Sequence, residues 1–434
     1  MHAPMEPLYR SKASRWYLFA MLGVFFVFLG IFLPHTRYYP YYIDDNFKFH
    51  EALKIAKEPA SAWAPDDVDR RRPLSLYCLY LESLFFGFRP WPYFVVLLCL
   101  HFLNAILVGR VCRLLGGDPP AQTLSSLLFF CSSSFYQVLI FITGTLRVLS
   151  LSFFLLAIIA WIHFLRTPKI PTLVKTVCLL SLSLICNEDG LTFPFVALLL
   201  SWIIVPEKEK RKVIYRMAVP CLFLINFILV FCLTATFFTS RKNFTPLSGS
   251  FHPIQKLLGL AKMFLVPLLL PPRGLLGATP FPDGILRLLP ALLVIVLCLV
   301  FLGKKASWRE TQKSFKGPFI FACLGWIAIT IAPFLLHPLS LEHTSRYLYY
   351  PSVGFSILLA TFLVQGIDVV RSVQPRYVLL FCLPVLLYSL FLNAISTVYH
   401  YQRYVLWSAQ SNCQYYDEVK STFAEASLKR TVVQ

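Results

Sequence analysis

The sequence predicts an all-α protein that crosses a membrane about 11 times. Of the 434 residues, 57% are hydrophobic and only 14% are charged, and the mean hydropathy is +0.66. A soluble protein of this size has no interior large enough for that much apolar surface, whereas a bilayer solvates it directly. The apolar residues also fall into runs of membrane-spanning length, which are separated by shorter polar segments.

These runs and the loops between them predict an orientation. The runs lie near residues 16–34, 91–109, 120–141, 147–165, 172–187, 191–206, 214–238, 285–303, 317–336, 347–366 and 377–396. If the N-terminus is cytoplasmic, every loop on the cytoplasmic side is basic, and most acidic residues lie in the opposite loops. The formal charge of +19 is then mainly a membrane-anchoring feature. We therefore expect no nucleic-acid partner.

Residues 1–396 form one predicted integral membrane domain, followed by a polar external tail at 397–434. Two further apolar segments, 73–88 and 254–270, are short and carry charged residues, so we predict helices that lie on the outer face. The first external loop, 35–90, is large and includes the first of these surface helices. A loop of this size on a lipid-facing scaffold is a common place for function.

The sequence YYIDDN places Asp44 and Asp45 side by side just after the first apolar run. Two ionised neighbours repel, so one pKa rises unless a cation lies close. This suits a general base beside a ligand of the substrate or of a divalent cation. The structural alternative is that Asp45 caps a helix that begins at Asn46.

Three arginines stand at the predicted outer face. Arg72 is the last arginine of the run DRRRP, and Arg147 lies in TGTLRVLS. Arg346 with Tyr347 opens a late apolar run in HTSRYLYYPS. Arginine binds phosphate in a bidentate manner, so an arginine–tyrosine site for a lipid-linked phosphate is one interpretation. The alternatives are a solvated charge run around Arg72 and an aromatic belt with a snorkelling arginine at Arg346.

The sequence NEDGLTFP predicts an external hairpin that carries Glu188 and Asp189. These acids are either loop charges beside a glycine turn or members of a site, because the flanking runs are short enough to draw the hairpin below the membrane surface. His101 lies in the middle of a run with Asn104 one turn on, and we expect them to make interhelical hydrogen bonds. The cysteines show no metal-binding spacing.

The order of these motifs resembles the GT-C fold of glycosyltransferases that use polyprenyl-phosphate sugars. The resemblance is closest to the protein O-mannosyltransferase-like branch, which includes the transmembrane tetratricopeptide-type mannosyltransferases, although this chain lacks the repeats. It spans roughly residues 16–400 and rests on the DD pair, RRPLS, PYFVVLLCLHFLNAIL, NEDGLTFP and SRYLYYPSVGF. It implies an inverting transfer of a sugar to an acceptor hydroxyl on a protein or a glycan.

The resemblance also implies roles for individual residues. Asp44 or Asp45 is the expected catalytic base, and the expected substrate-binding residues are Arg72, Arg147, Glu188, Arg346 and Tyr347. No cofactor is expected to be required, although a divalent cation could share the aspartate pair. The expected partners are the polyprenyl-phosphate-linked sugar, membrane lipids and the acceptor. The expected location is a multi-pass position in the bacterial inner membrane, with the endoplasmic reticulum as the alternative.

Two other functions stay open at this stage. A flippase or transporter for a lipid-linked solute would also place arginines and carboxylates at membrane depth, although the runs show no inverted repeat. A catalytically inactive GT-C-like protein would keep the lipid site and tolerate asparagine in place of the aspartate pair.

Overall fold

The computed structural model describes residues 12–38, 52–55, 58–59, 72–87, 89–205, 317–335 and 345–373, with scattered positions between 384 and 397. Helix dominates these ranges, and they contain no strand. The all-α prediction is confirmed for this part of the chain. The predicted runs at 214–238 and 285–303, the predicted surface helix at 254–270 and nearly all of the C-terminal tail lie outside the described residues.

The described chain forms ten α-helices and three short 3₁₀ helices. The α-helices are α1 (Lys12–Phe32), α2 (Pro73–Phe86), α3 (Pro90–Leu114), α4 (Pro119–Cys131), α5 (Tyr136–Ile140), α6 (Gly144–Arg166), α7 (Ile170–Cys186), α8 (Phe193–Ile204), α9 (Gly317–Leu335) and α10 (Pro351–Val373). The 3₁₀ helices are Leu33–Tyr38, Glu188–Thr192 and Ser345–Leu348. Proline opens α2, α3, α4 and α10, where its fixed φ suits the first helical turn and its missing N–H costs nothing.

Three of the described helices are long and apolar enough to cross a membrane. They are Pro90–Leu114, Gly144–Arg166 and the part Pro351–Asp368 of α10. Shorter apolar helices occupy Tyr17–Phe32, Pro73–Phe86, Ile170–Cys186 and Pro318–Pro333. These lengths are compatible with a membrane protein, whereas the count of about 11 spans and the cytoplasmic N-terminus stay predictions.

The structure corrects two predicted boundaries. The run 120–141 is not one helix, because the chain leaves helical conformation after Cys131 and resumes it at Tyr136. The break contains consecutive serines, and the hydroxyl of Ser132 accepts a hydrogen bond from the backbone N–H of Ser134 at 3.3 Å, in competition with helical bonding. The late run 347–366 begins as a 3₁₀ turn, and its α-helix starts only at Pro351.

The bundle is arranged around α3 and α6. Both helices pack against each other, with α4 also on α3 and α7 also on α6. The guanidinium of Arg166 donates to the carbonyl oxygen of Leu114, so α3 and α6 end on the same side and run in parallel. Asn104 of α3 contacts Val148 near the start of α6. The start of α6 therefore lies level with the middle of α3, roughly 20 Å along that helix from its first residue.

Candidate functional site

Arg72 connects the start of α2 to the hairpin that follows α7. It is the residue before α2, and its guanidinium makes a bidentate contact with Glu188. Its Nε donates to Oε2 at 2.7 Å, and its Nη2 donates to Oε1. The Arg72 side chain is 23% exposed and that of Glu188 is 49% exposed. The contact is therefore an ion pair on the open side of the bundle.

The hairpin points its two acids in different directions. Asn187 caps the 3₁₀ helix Glu188–Thr192 by accepting a hydrogen bond from the backbone N–H of Asp189 at 3.0 Å. The hydroxyl of Thr192 donates to the carbonyl oxygen of Asp189 at 3.0 Å and closes the turn. This local geometry leaves Glu188 exposed while Asp189 is buried.

Asp189 meets Arg147 inside the bundle. The Nε of Arg147 lies 2.6 Å from Oδ2 of Asp189, and the two side chains are only 9% and 4% exposed. Arg147 reaches this position because α6 starts immediately after a tight turn. A Cβ on Gly144 would lie 1.8 Å from the carbonyl oxygen of Val138, so only glycine fits where α5 and α6 meet.

Tyr347 joins two of the arginines. The guanidinium carbon of Arg147 lies 4.8 Å from the centre of the Tyr347 ring, and that of Arg346 lies 5.3 Å from it. Both distances are in the range of cation–π attraction. The backbone N–H of Arg346 donates to Oε1 of Gln137 in α5 at 3.4 Å, which ties the 3₁₀ helix Ser345–Leu348 to the broken-helix region.

These contacts define the arginine–tyrosine cluster, which consists of Arg72, Arg147, Glu188, Asp189, Arg346 and Tyr347. Its three guanidinium groups and two carboxylates have one formal positive charge in excess. Two of its three arginines, Arg147 near the start of α6 and Arg346 just before α10, stand at the ends of apolar helices of membrane-spanning length. An anionic group attached to an apolar chain is the kind of ligand that this arrangement favours.

The carboxyl groups of the hairpin respond to their arginines in different ways. Withdrawal from water raises the pKa of a carboxyl, but for Glu188 the adjacent Arg72 charge and its hydrogen bonds outweigh this effect and lower the pKa to about 2. Burial raises the pKa of Asp189 above its ordinary value, and the neighbouring Arg147 opposes that rise. Glu188 is thus held firmly as an anion by Arg72.

The structure brings together all five residues that the sequence proposes for substrate binding: Arg72, Arg147, Glu188, Arg346 and Tyr347. The proposed catalytic pair, Asp44 and Asp45, lies outside the described residues. The sequence left Asp189 open between a loop charge and a member of a site, and its pairing with Arg147 was not predicted. The expected interhelical hydrogen bonds of His101 and Asn104 are confirmed, because the His101 ring bonds the carbonyl oxygen of Phe130 in α4 and Asn104 donates to that of Val148 in α6.

Within the described ranges, no group of three or more histidine, cysteine or acidic side chains could hold a metal ion. The aspartate pair, which could share a divalent cation, is not part of those ranges. Comparison with models of known protein families, with curated proteins and with solved structures gives no match.

Proposed function

We propose that the protein is a membrane glycosyltransferase that moves a sugar from a polyprenyl-phosphate donor to an acceptor hydroxyl on the external or lumenal face. The observation that carries the proposal is the contact of Arg147 and Arg346 with one tyrosine ring, at the ends of two apolar helices. A lipid-linked phosphate combines an anion with a long apolar tail. The tail would lie along the apolar helices, and the phosphate would bind the guanidinium groups.

The guanidinium groups of the cluster suit the leaving group of this reaction, which is polyprenyl phosphate. A polyprenyl-phosphate sugar is a phosphodiester with one negative charge. When the bond between the anomeric carbon and the phosphate oxygen breaks, the leaving polyprenyl phosphate gains charge. Guanidinium groups placed beside the phosphate therefore stabilise the charge that develops in the transition state more than the bound donor, which is the requirement for catalysis.

In this proposal the base comes from the first external loop. Asp44 or Asp45 removes the proton from the acceptor hydroxyl, whose oxygen attacks the anomeric carbon from the face opposite the phosphate. The configuration at that carbon inverts, and the proton stays on the aspartate until water takes it. Arg72 would hold the end of this loop beside the cluster, because Arg72 itself is ion-paired with Glu188.

The test is sugar transfer by the purified protein in nanodiscs, with a panel of radiolabelled polyprenyl-phosphate sugars. We expect turnover with one donor, loss of turnover in Asp44→Asn or Asp45→Asn with donor binding retained, and weaker donor binding in Arg346→Ala. Arg113→Ala is the matched control, because Arg113 lies at the far end of α3, where it bonds the carbonyl oxygen of Gly117.

Two results would change the assignment. If no donor is turned over but polyprenyl phosphate binds tightly, and Arg346→Ala removes that binding, the protein is a flippase or a catalytically inactive relative. If wild type and Arg346→Ala bind polyprenyl phosphate equally weakly, the cluster is not a phosphate site and the proposal fails.

A further inference from the structure

Two consecutive tyrosines follow the segment that carries Arg346 and Tyr347. Tyr349 and Tyr350 are both buried, and they stand between the 3₁₀ helix Ser345–Leu348 and the start of α10. Their hydroxyl groups enter two separate hydrogen-bond networks, each of which also involves α6. The 3₁₀ helix Ser345–Leu348, which carries Arg346 and Tyr347, is therefore followed directly by two residues that are anchored outside the cluster.

The first network gives Tyr349 a fixed hydrogen-bond direction. His101 Nε2 lies 3.1 Å from the carbonyl oxygen of Phe130, which can only accept, so Nε2 carries the proton in the neutral ring. Nδ1 then accepts from the hydroxyl of Tyr349 at 2.9 Å. The oxygen of Tyr349 in turn accepts from Nδ2 of Asn104 at 3.1 Å. The Tyr349 hydroxyl therefore has one defined acceptor, His101 Nδ1, and one defined donor, Asn104 Nδ2.

Asn104 also fixes the other side of the cluster. Its Nδ2 donates at 2.8 Å to the carbonyl oxygen of Val148, the residue after Arg147. One amide group therefore contacts both the neighbour of Arg147 and the residue two positions beyond Tyr347. The two bonds thus link the backbone next to Arg147 to the segment that carries Tyr347, whose ring lies 4.8 Å from the Arg147 guanidinium carbon.

The unfavourable burial of the Asn104 side-chain oxygen supports a positioning role for this residue rather than a role in packing alone. Its Oδ1 is buried and has no hydrogen-bond partner within the described part of the chain. An unsatisfied buried acceptor is unfavourable, and a leucine of similar size would avoid it. The two bonds that Nδ2 makes are the feature that an apolar side chain could not supply.

We propose that His101 and Asn104 are positioning residues that act through Tyr349 and set the Arg147–Tyr347 distance, and with it the anion affinity of the cluster. The part on affinity rests on the proposed phosphate site. The part on geometry does not, because it concerns the relative position of α6 and the Ser345–Leu348 segment whatever ligand binds there.

The second network holds Tyr350 and differs from the first in what it connects. The Ser150 hydroxyl donates to the carbonyl oxygen of Ser183 at 2.8 Å, and the Ser183 hydroxyl donates back to that of Ser150 at 2.9 Å. The hydroxyl of Tyr350 lies 2.7 Å from Ser150 Oγ and is the donor in that contact, since the hydrogen of Ser150 is already used. This network joins α6 to α7. It contains no group that bonds the backbone beside Arg147.

The experiment places 3-fluorotyrosine at position 347 and follows its ¹⁹F resonance in nanodiscs, first alone and then during titration with polyprenyl monophosphate. Arg147→Ala shows how the resonance responds when one cation leaves the ring. Tyr349→Phe removes only a hydroxyl, and Asn104→Leu removes both amide bonds at nearly constant volume. The control is Tyr17→Phe, whose hydroxyl is bonded to Ser126 in another part of the bundle at 3.0 Å.

We expect Tyr349→Phe and Asn104→Leu to move the resonance in the direction of Arg147→Ala and to weaken binding about 3- to 10-fold, as the loss of one or two hydrogen bonds would. Tyr17→Phe should change neither quantity. An unmoved resonance in folded Tyr349→Phe overturns the inference. If the resonance moves but wild type does not bind polyprenyl phosphate, the positioning role stands and the proposed function fails.

Discussion

The two ion pairs of the hairpin should differ greatly in strength, although their acids are neighbours in the sequence. Arg147 and Asp189 are 9% and 4% exposed, whereas Arg72 and Glu188 are 23% and 49% exposed. Removal of one partner from a buried pair leaves an uncompensated charge and costs about 3 to 5 kcal/mol. A solvent-screened pair contributes about 0 to 1 kcal/mol.

Double-mutant cycles measure this difference directly. For the buried pair, Arg147→Met and Asp189→Asn should each lower the free energy of unfolding by about 3 kcal/mol, and the double variant should lose less than the two single losses added together. The resulting coupling energy should be at least about 2 kcal/mol. The same cycle with Arg72→Met and Glu188→Gln should give a coupling energy below about 1 kcal/mol.

The assay is reversible unfolding in mixed detergent and SDS micelles, followed by far-UV circular dichroism. The cycle for Arg72 and Glu188 is the matched control, because it changes the same chemical groups on the same hairpin at different exposure. Equal coupling energies in the two cycles would refute the reasoning. That result would mean that water reaches Arg147 and Asp189 as freely as it reaches Glu188.

Three further outcomes follow from the geometry of the cluster. Because Arg72 lowers the pKa of Glu188 below an ordinary value of about 4.3, the stabilisation from Glu188 is present above about pH 4.3 and is lost as the pH falls towards 2. The side chain is 49% exposed, so screening by solvent limits that loss to about 1 kcal/mol or less. Unfolding titrations should show that loss in wild type and not in Glu188→Gln. Tyr347→Phe keeps the ring and should bind polyprenyl phosphate within about 2-fold of wild type, whereas Tyr347→Leu should bind about 10-fold more weakly, since it loses both cation–π contacts. Thermal unfolding should show that Gly144→Ala, with a Cβ at 1.8 Å from a backbone oxygen, loses roughly 2 kcal/mol or more. The control Gly23→Ala adds a Cβ with no atom within 4 Å and should lose nothing; equal stability of both variants would contradict the described turn.

The membership of the cluster could be predicted from the sequence because charge is costly near apolar helices. Arg147 and Arg346 each interrupt an apolar context, and side chains of that kind gather wherever they can be neutralised or solvated. Which charges would pair could not be predicted. Glu188 and Asp189 are adjacent, and in the turn capped by Asn187 the first faces Arg72 and the second faces Arg147.

The break between α4 and α5 shows why one predicted span was wrong. The segment 120–141 is apolar on average, and the three serines at 132–134 hardly change that average. Helix continuity depends on where each backbone N–H finds its acceptor, and a serine hydroxyl can supply a local alternative. Hydropathy does not contain this information. The hydrogen bond of His101 to Tyr349 could not be predicted for a different reason, because the two residues are 248 positions apart in the chain.

The contacts of the cluster explain how three arginines can lie beside an apolar bundle. A lone buried guanidinium would be strongly unfavourable. Here Asp189 offsets the charge of Arg147, Glu188 holds Arg72 on the exposed side, and the Tyr347 ring contacts two of the three cations. The donors are thus fixed in place before any ligand arrives, so little reorganisation is needed when negative charge develops beside them. In the proposal above, His101 and Asn104 act through Tyr349 to set the distance between Arg147 and Tyr347. Loss of the Tyr349 hydroxyl should therefore weaken the site without removing any of its charges.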